Sequence, residues 1–222
     1  MLAGMDALLR IANHAQGTLP LDVLAALTLL SAAPFVLVMC TSFARIVVVL
    51  SLVRSAIGAA ALPPNSVLTG TALILTAVVM SPTLTRVSNE ALTPYSKGSL
   101  TQSQFLERAT VPLREFMLRQ TRAQDLQLFE RVARMPEKPL AAVPLLVVVP
   151  AFVVGELRDG FAMGFALYLP FVAIDLAVAS ILMGLGMFML SPPVISLPAK
   201  LLLFVMVDGW ALVCGGLVST FR

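Results

Sequence analysis

Hydrophobic positions gather into long runs separated by one polar block. Continuous apolar stretches cover about 21–43, 66–84, 161–190 and 199–219, and a shorter one covers 141–154. A bilayer crossing takes ~20 apolar residues as a helix. The first four stretches meet that length. The fifth is short and carries Pro144 and Pro150, so it reads as a re-entrant or packed helix. As a straight helix, 161–190 would be about 45 Å long at 1.5 Å per residue. The hydrocarbon core is only ~30 Å thick. That stretch should therefore tilt, bend at Pro170, or break near Gly184 and Gly186. No strand pattern competes, because the valine run at 147–149 is short and bounded by prolines. The pattern predicts an all-α, membrane-associated protein built of helical hairpins.

Residues 85–140 have a different character. They hold nine of the 15 basic residues and six of the 12 acids. Thr101 with Gln104 has the form of a capping box. Pro112 suits the first turn of a helix running to about Arg134. Glu115 with Arg119 and Glu130 with Arg134 are i,i+4 pairs of supportive polarity, and Leu118, Leu126, Phe129 and Ala133 supply an apolar face. Three regions follow: an N-terminal hairpin over 1–84, a polar helical region over 85–140, and a C-terminal hairpin over 141–222. Pro63-Pro64-Asn65-Ser66 stops one helix and caps the next. The 45–65 loop carries Arg45 and Arg54 and no acid, which favours the cytoplasm. The N-terminus and the polar region would then lie outside, and after four crossings so would the C-terminus. Asp6 and Asp22 interrupt a signal-peptide pattern, so cleavage is not expected.

Composition agrees with the pattern. Apolar residues make up 59% and charged residues 12%, against roughly 25% charged in globular domains. The formal charge of +3 is spread without a basic block, which speaks against a nucleic-acid partner. Cys40 and Cys214 are far apart, and His14 is the only histidine. Disulfide, zinc and histidine-based readings therefore have no material. No P-loop, G-x-S-x-G, H-E-x-x-H or dinucleotide glycine pattern occurs, so neither a catalytic site nor a cofactor is expected.

The few charges in the apolar half carry the candidate chemistry: Glu156, Arg158, Asp159, Asp175, Lys200 and Asp208. Each costs roughly 2.5–3.5 kcal/mol in lipid on insertion scales, so each should face protein, water or another charge. Glu156 and Lys200 could meet within a subunit or across an interface. Asp175 and Asp208 read either as helix-interface hydrogen-bonding groups or as a proton relay. Gly160 with Gly164, Ala173 with Ala177, Ser180 with Gly184, and Ala211 with Gly215 are small-x-x-x-small pairs. Their number points to an oligomer.

The long stretch ends in Gly184-Leu185-Gly186-Met187-Phe188-Met189-Leu190, followed by Ser191-Pro192-Pro193. Methionine is usually core filler, but it is also unbranched and adaptable. Between glycines and a proline stop, it could form a deformable loop. Several copies around an axis would make an apolar, dewetting constriction.

Specific strings extend the reading. Thr41-Ser42-Phe43-Ala44-Arg45-Ile46, Arg54-Ser55-Ala56-Ile57-Gly58, Pro63-Pro64-Asn65 and Val79-Met80-Ser81-Pro82 occur in order. They are followed by PLREFMLRQT from Pro112 to Thr121, then Pro150-Ala151-Phe152 with Glu156-Leu157. Pro170-Phe171, Ile174-Asp175-Leu176, Ala179-Ser180, Lys200-Leu201-Leu202-Leu203-Phe204 and Asp208-Gly209-Trp210 complete the series. Together these resemble the FliP family of flagellar export-gate proteins, whose virulence-secretion counterpart is SctR. The PLREFMLRQT string favours the flagellar branch.

The resemblance implies a pore-forming subunit of the type III protein export gate. Such subunits assemble as a homopentamer with FliQ/SctS-like and FliR/SctT-like membrane proteins. The assembly passes unfolded export substrates across the bacterial inner membrane, within the flagellar basal body or injectisome base. It also implies that the hairpins sit largely above the bilayer plane. By position, the family's methionine gasket falls on Met187, Phe188 and Met189, with phenylalanine where the family has its middle methionine. The flexible gate flanks fall on Gly184, Gly186, Pro192 and Pro193. The inter-subunit charge pair falls on Glu156 and Lys200, and Gly155 stands where a serine or threonine is usual. The residues themselves leave one other class open, a small proton-coupled secondary transporter using Asp175 and Asp208. An intramembrane enzyme finds neither histidines nor a nucleophile motif.

Overall fold

A computed structural model describes residues 31, 34–35, 37–59, 62–135, 139 and 143–221. The contacts divide the chain at Leu37, and the unit described below is Val38–Arg222. Most of the 21–43 stretch lies outside the described residues. All regular structure among the described residues is helical. The elements are α1 (Phe43–Ile57), α2 (Asn65–Val87), a π-helical turn (Ser88–Leu92), α3 (Thr93–Ser96), α4 (Gln102–Gln120), α5 (Ala123–Val132), α6 (Leu145–Gly184), α7 (Pro192–Met206) and α8 (Gly209–Ser219).

α6 is the organising element. Its 40 residues span about 60 Å at 1.5 Å per residue. The stretch expected as a separate short helix over 141–154 supplies its first turns. Pro150 and Pro170 both lie inside the helix, so neither proline ends it. Val147, Val148, Ala151 and Phe152 are fully buried there, which fits the packed alternative. The second stretch also runs on: helical structure from Asn65 to Ser96 is continuous, with Pro82 inside α2 and a π turn near its end. By contrast, the 199–219 stretch is two helices. α7 and α8 meet at a 61° bend. Among the described residues, two helices are long and apolar enough to cross a membrane, or three if the bent pair counts as one span.

α1 packs along α6. It buries Ile46, Val49, Leu50 and Val53, the i, i+3, i+4, i+7 set of one helix face. Close approach is possible because Gly160 and Gly164 face it. A Cβ on Gly160 would stand 3.3 Å from Val48 Cγ1, and one on Gly164 would stand 2.9 Å from Leu52 Cβ and nearer still to Leu52 Cδ1. This G-x-x-x-G is therefore used inside the chain and supplies no evidence about oligomers. Two apolar cores result. One joins the α1 face to Leu68, Ala72, Phe171, Phe204, Val213 and Leu217. The other groups Met80, Phe116, Met117, Leu126 and Val143 with the buried start of α6.

The polar region centres on two helices, α4 and α5. Thr101 forms the full capping box with Gln104. The helix thus begins at Gln102, and Pro112 sits in its interior rather than its first turn. It stops at Gln120, and α5 follows. The expected single helix to Arg134 is therefore two. Arg134 has a left-handed φ of 52°. The Arg134 N–H donates to Arg131 O and the Met135 N–H to Glu130 O, the Schellman pattern. Arg134 has left the helix, so it forms no i,i+4 pair with Glu130. Glu115 pairs across to Arg86 of α2, with Arg119 a lesser attraction. Hydrogen bonding to Arg86 holds the Glu115 carboxyl below its ordinary value.

Candidate functional site: a methionine loop held by two charge clusters

The loop between α6 and α7 is the most exposed apolar segment of the described chain. Met189 is 100% exposed, Phe188 80% and Met187 44%. A soluble surface does not hold three such residues together without a partner. The loop leaves α6 through a Schellman cap: the Gly186 N–H donates to Met183 O at 3.0 Å and the Met187 N–H to Leu182 O at 2.9 Å. Gly186 takes the left-handed position, φ 72°, where any Cβ is strained. Gly184 is the last helical residue, with open space around it. Pro192 and Pro193 begin α7, positions where a missing N–H costs nothing. The α6 end is thus fixed by its cap and the α7 start by its prolines, and Met187, Phe188 and Met189 between them are presented outward.

Below the loop, α6 and α7 are tied by a small polar cluster. Asp175 Oδ1 accepts from Ser196 Oγ, and Lys200 Nζ donates to Asp175 Oδ2 at 2.6 Å. Lys200 Nζ also donates to Ala56 O at 3.2 Å. That carbonyl is among the last four of α1, which lack intrahelical donors, and a cation there also suits the helix dipole. One buried lysine therefore joins three helices. Asp175 takes the interface hydrogen-bonding role. Asp208 does not share it: it lies exposed at the bend between α7 and α8, with φ 49°. No hydrogen bond or ion pair joins the two carboxylates.

A second cluster lies one-third of the way along α6. Glu156 is fully buried, and its partner is Arg45 of α1, itself 3% exposed. Arg45 also lies 3.6 Å from Asp159 and 4.2 Å over the Phe221 ring. Asp159 accepts from Arg122 at 2.6 Å. Arg158 grips Asp125 with both terminal nitrogens. Three cations and three anions thus balance between α1, α5 and α6. Hydrogen bonding to Arg158 holds the Asp125 carboxyl below the usual carboxylate value. A Cβ on Gly155 would stand 3.8 Å from Asp125 Oδ2, so the position is roomy enough for a small side chain.

Within the chain, then, Glu156 and Lys200 do not pair with each other; each has its own opposite charge. The spacing signal missed Arg45, which reads in sequence only as a loop cation. An isolated acid in one apolar run and an isolated base in another were the available clue, because each demands a partner.

These features define a class: an all-helical membrane protein in which most charges of the apolar half are paired in helix contacts and whose outstanding surface is an apolar loop. The sequence profile described as the FliP family matches residues 26–217, and the chain belongs to that family. It is 52% identical over 205 residues to the flagellar biosynthetic protein FliP of Pectobacterium carotovorum subsp. carotovorum, covering 92% of this chain and 80% of that one. It is 49% identical to the protein of that name from Caulobacter vibrioides, covering 88% and 74%. For Bacillus subtilis FliP the identity is 46%, covering 88% and 89%. Membership places the chain in flagellar biosynthesis and protein export, as a membrane-embedded component.

Proposed function

We propose that the chain is the pore-forming subunit of the flagellar type III export gate. Copies of it, together with FliQ-like and FliR-like partners, bring the 187–189 loops around a common axis in the inner membrane. Unfolded export substrates pass through the ring they form. The observation that carries the reading is the exposure of Met187, Phe188 and Met189 on a loop that leaves α6 through a Schellman cap and enters α7 at Pro192 and Pro193. Methionine side chains repack at low cost, and an apolar ring excludes water and ions by dewetting. Phe188 adds a stiffer element to the ring. The subunit supplies a conduit and no catalysis; driving energy comes from other components. The transporter alternative has less support, because Asp175 is held by Ser196 and Lys200, leaving it poorly placed to cycle protons.

The test is Met187→Ala with Met189→Ala in the co-expressed, assembled complex. Ion leak and slowed growth are expected while assembly persists on native gels. Unchanged conductance in a verified complex would reject the gasket.

A further inference from the structure

An apolar cavity of about 660 Å³ opens between the α1–α2 connection and the α7–α8 bend. Leu62, Pro63, Val67, Leu201, Trp210 and Cys214 are among its walls. Beside it stands Arg54, whose Nη1 donates to Pro63 O at 3.4 Å and to Asn65 Oδ1. Pro63 is a wall residue, so the guanidinium is hydrogen-bonded to the backbone of one of the cavity's walls.

The charge inventory singles out Arg54. α1, α2, α6, α7 and α8 carry four basic residues besides it. Arg45, Arg86, Arg158 and Lys200 all have carboxylate partners. Among the described residues, Arg54 has none. Guanidinium offers five N–H donors, and its two contacts both use Nη1. Donors are left over, paired with no anion among the described residues. Trp210, another wall residue, is 38% exposed. Tryptophan favours the headgroup level of a bilayer, with its ring between apolar and wet layers.

We propose that this cavity seats one acyl chain of an anionic phospholipid, with its phosphate held by Arg54. The walls take hydrocarbon, Arg54 takes the phosphate in the forked geometry guanidinium favours, and the N-terminus of α2 adds favourable potential for an anion. A partner protein segment would leave Arg54 without a counter-charge unless it brought its own acid, whereas an anionic lipid supplies charge and chain together. The inference depends on membrane residence and not on the gate reading, so a failed leak experiment leaves it standing.

Trp210 is the only tryptophan of the chain, which makes occupancy directly readable. The full chain in mixed micelles is titrated with phosphatidylglycerol brominated on its acyl chains, and separately with brominated phosphatidylcholine, at low mole fraction. Saturable quenching is expected with phosphatidylglycerol, and only weak, linear quenching with phosphatidylcholine. Arg54→Gln should weaken the phosphatidylglycerol titration by about fivefold, the worth of one basic side chain at a lipid surface, and leave the phosphatidylcholine curve unmoved. Val67→Phe, which fills the cavity from an exposed wall position, should reduce the saturable component without touching Arg54. Equal quenching by both lipids, or indifference to Arg54→Gln, overturns the proposal. Loss of quenching as protein concentration rises would assign the cavity to a second copy instead.

Discussion

Arg45 and Glu156 lie 111 positions apart in sequence and form an ion pair in which both side chains are shielded from solvent. The pair fixes the start of α1 to α6. Asp159, Arg122, Phe221 and Thr220 gather around it. A buried pair is a poor source of net stability, because desolvation offsets most of the attraction. Removing one partner is a different matter, since the survivor is left charged in an apolar setting.

Arg45→Met should therefore lower stability by about 3–5 kcal/mol, read from thermal unfolding of the full chain in detergent. Arg45→Met with Glu156→Met should recover most of the loss, since no unpaired charge remains. The proposed inter-subunit pairing of Glu156 with Lys200 makes a competing demand. Glu156→Lys with Lys200→Glu would then restore native-gel assembly lost by Glu156→Lys alone. Rescue by Arg45→Glu with Glu156→Arg, and none by the Lys200 swap, would assign Glu156 to the subunit interior.

Gly184, the last residue of α6, and Gly186, at its cap, should behave differently. Gly186→Val places a β-branched residue at φ 72° and should cost at least about 1–2 kcal/mol. Gly184→Ala meets no atom within 4 Å and should stabilise the helix end by up to about 1 kcal/mol. Unfolding midpoints of the two variants decide the matter. If Gly186→Val matches the parent protein and Gly184→Ala falls below it, the cap assignment is wrong.

Gly164→Ala should destabilise by about 1–3 kcal/mol through overpacking, because its new methyl would press on Leu52. Leu52→Ala in the same chain should relieve much of that strain. Gly215→Ala, on a helix face with open space, serves as the comparison and should stabilise by up to about 1 kcal/mol. Equal midpoints for Gly164→Ala and Gly215→Ala would show that α1 does not pack at Gly164.

Acid should loosen α5 from α6. The Asp125 carboxyl is held below its ordinary value by Arg158, so its contribution is complete above the unfolded value of about 3.9. It is lost as pH falls from there through the lower folded value. Protection in Ala123–Val132, taken as exchange relative to the intrinsic amide rate, should therefore fall between about pH 4 and the acid limit. Asp125→Asn should show faster exchange already at neutral pH, with a smaller acid-dependent step. An Asp125→Asn chain with the parent's acid profile would remove Asp125 as the cause.

Several local features were legible because their causes are local. The capping box at Thr101 and Gln104 rests on residues a few positions apart. The first helix, by contrast, ends at Ile57 on the left-handed Gly58, ahead of Pro63 and Pro64, and the proline stop at Ser191-Pro192-Pro193 is the start of α7. The exposed methionine loop was legible for the same reason, since glycine and proline punctuate it. Prolines were less reliable guides. Pro112, Pro150 and Pro170 all lie inside helices, where surrounding packing outweighs the loss of one hydrogen bond each.

By itself the sequence determined that this protein is helical, apolar enough to sit in a membrane, and sparing in charge. It also marked the loop at 187–189 as the place to look. Those properties follow from composition and short-range periodicity. Only the tertiary structure decided which charge meets which. Arg45 reaches Glu156, and Lys200 reaches Asp175, because Gly160 and Gly164 let α1 lie against α6 and because α7 folds back along it. Charge pairing across more than a hundred residues depends on helix packing. An unpaired acid in a sequence states that a partner is needed, and the fold supplies its identity.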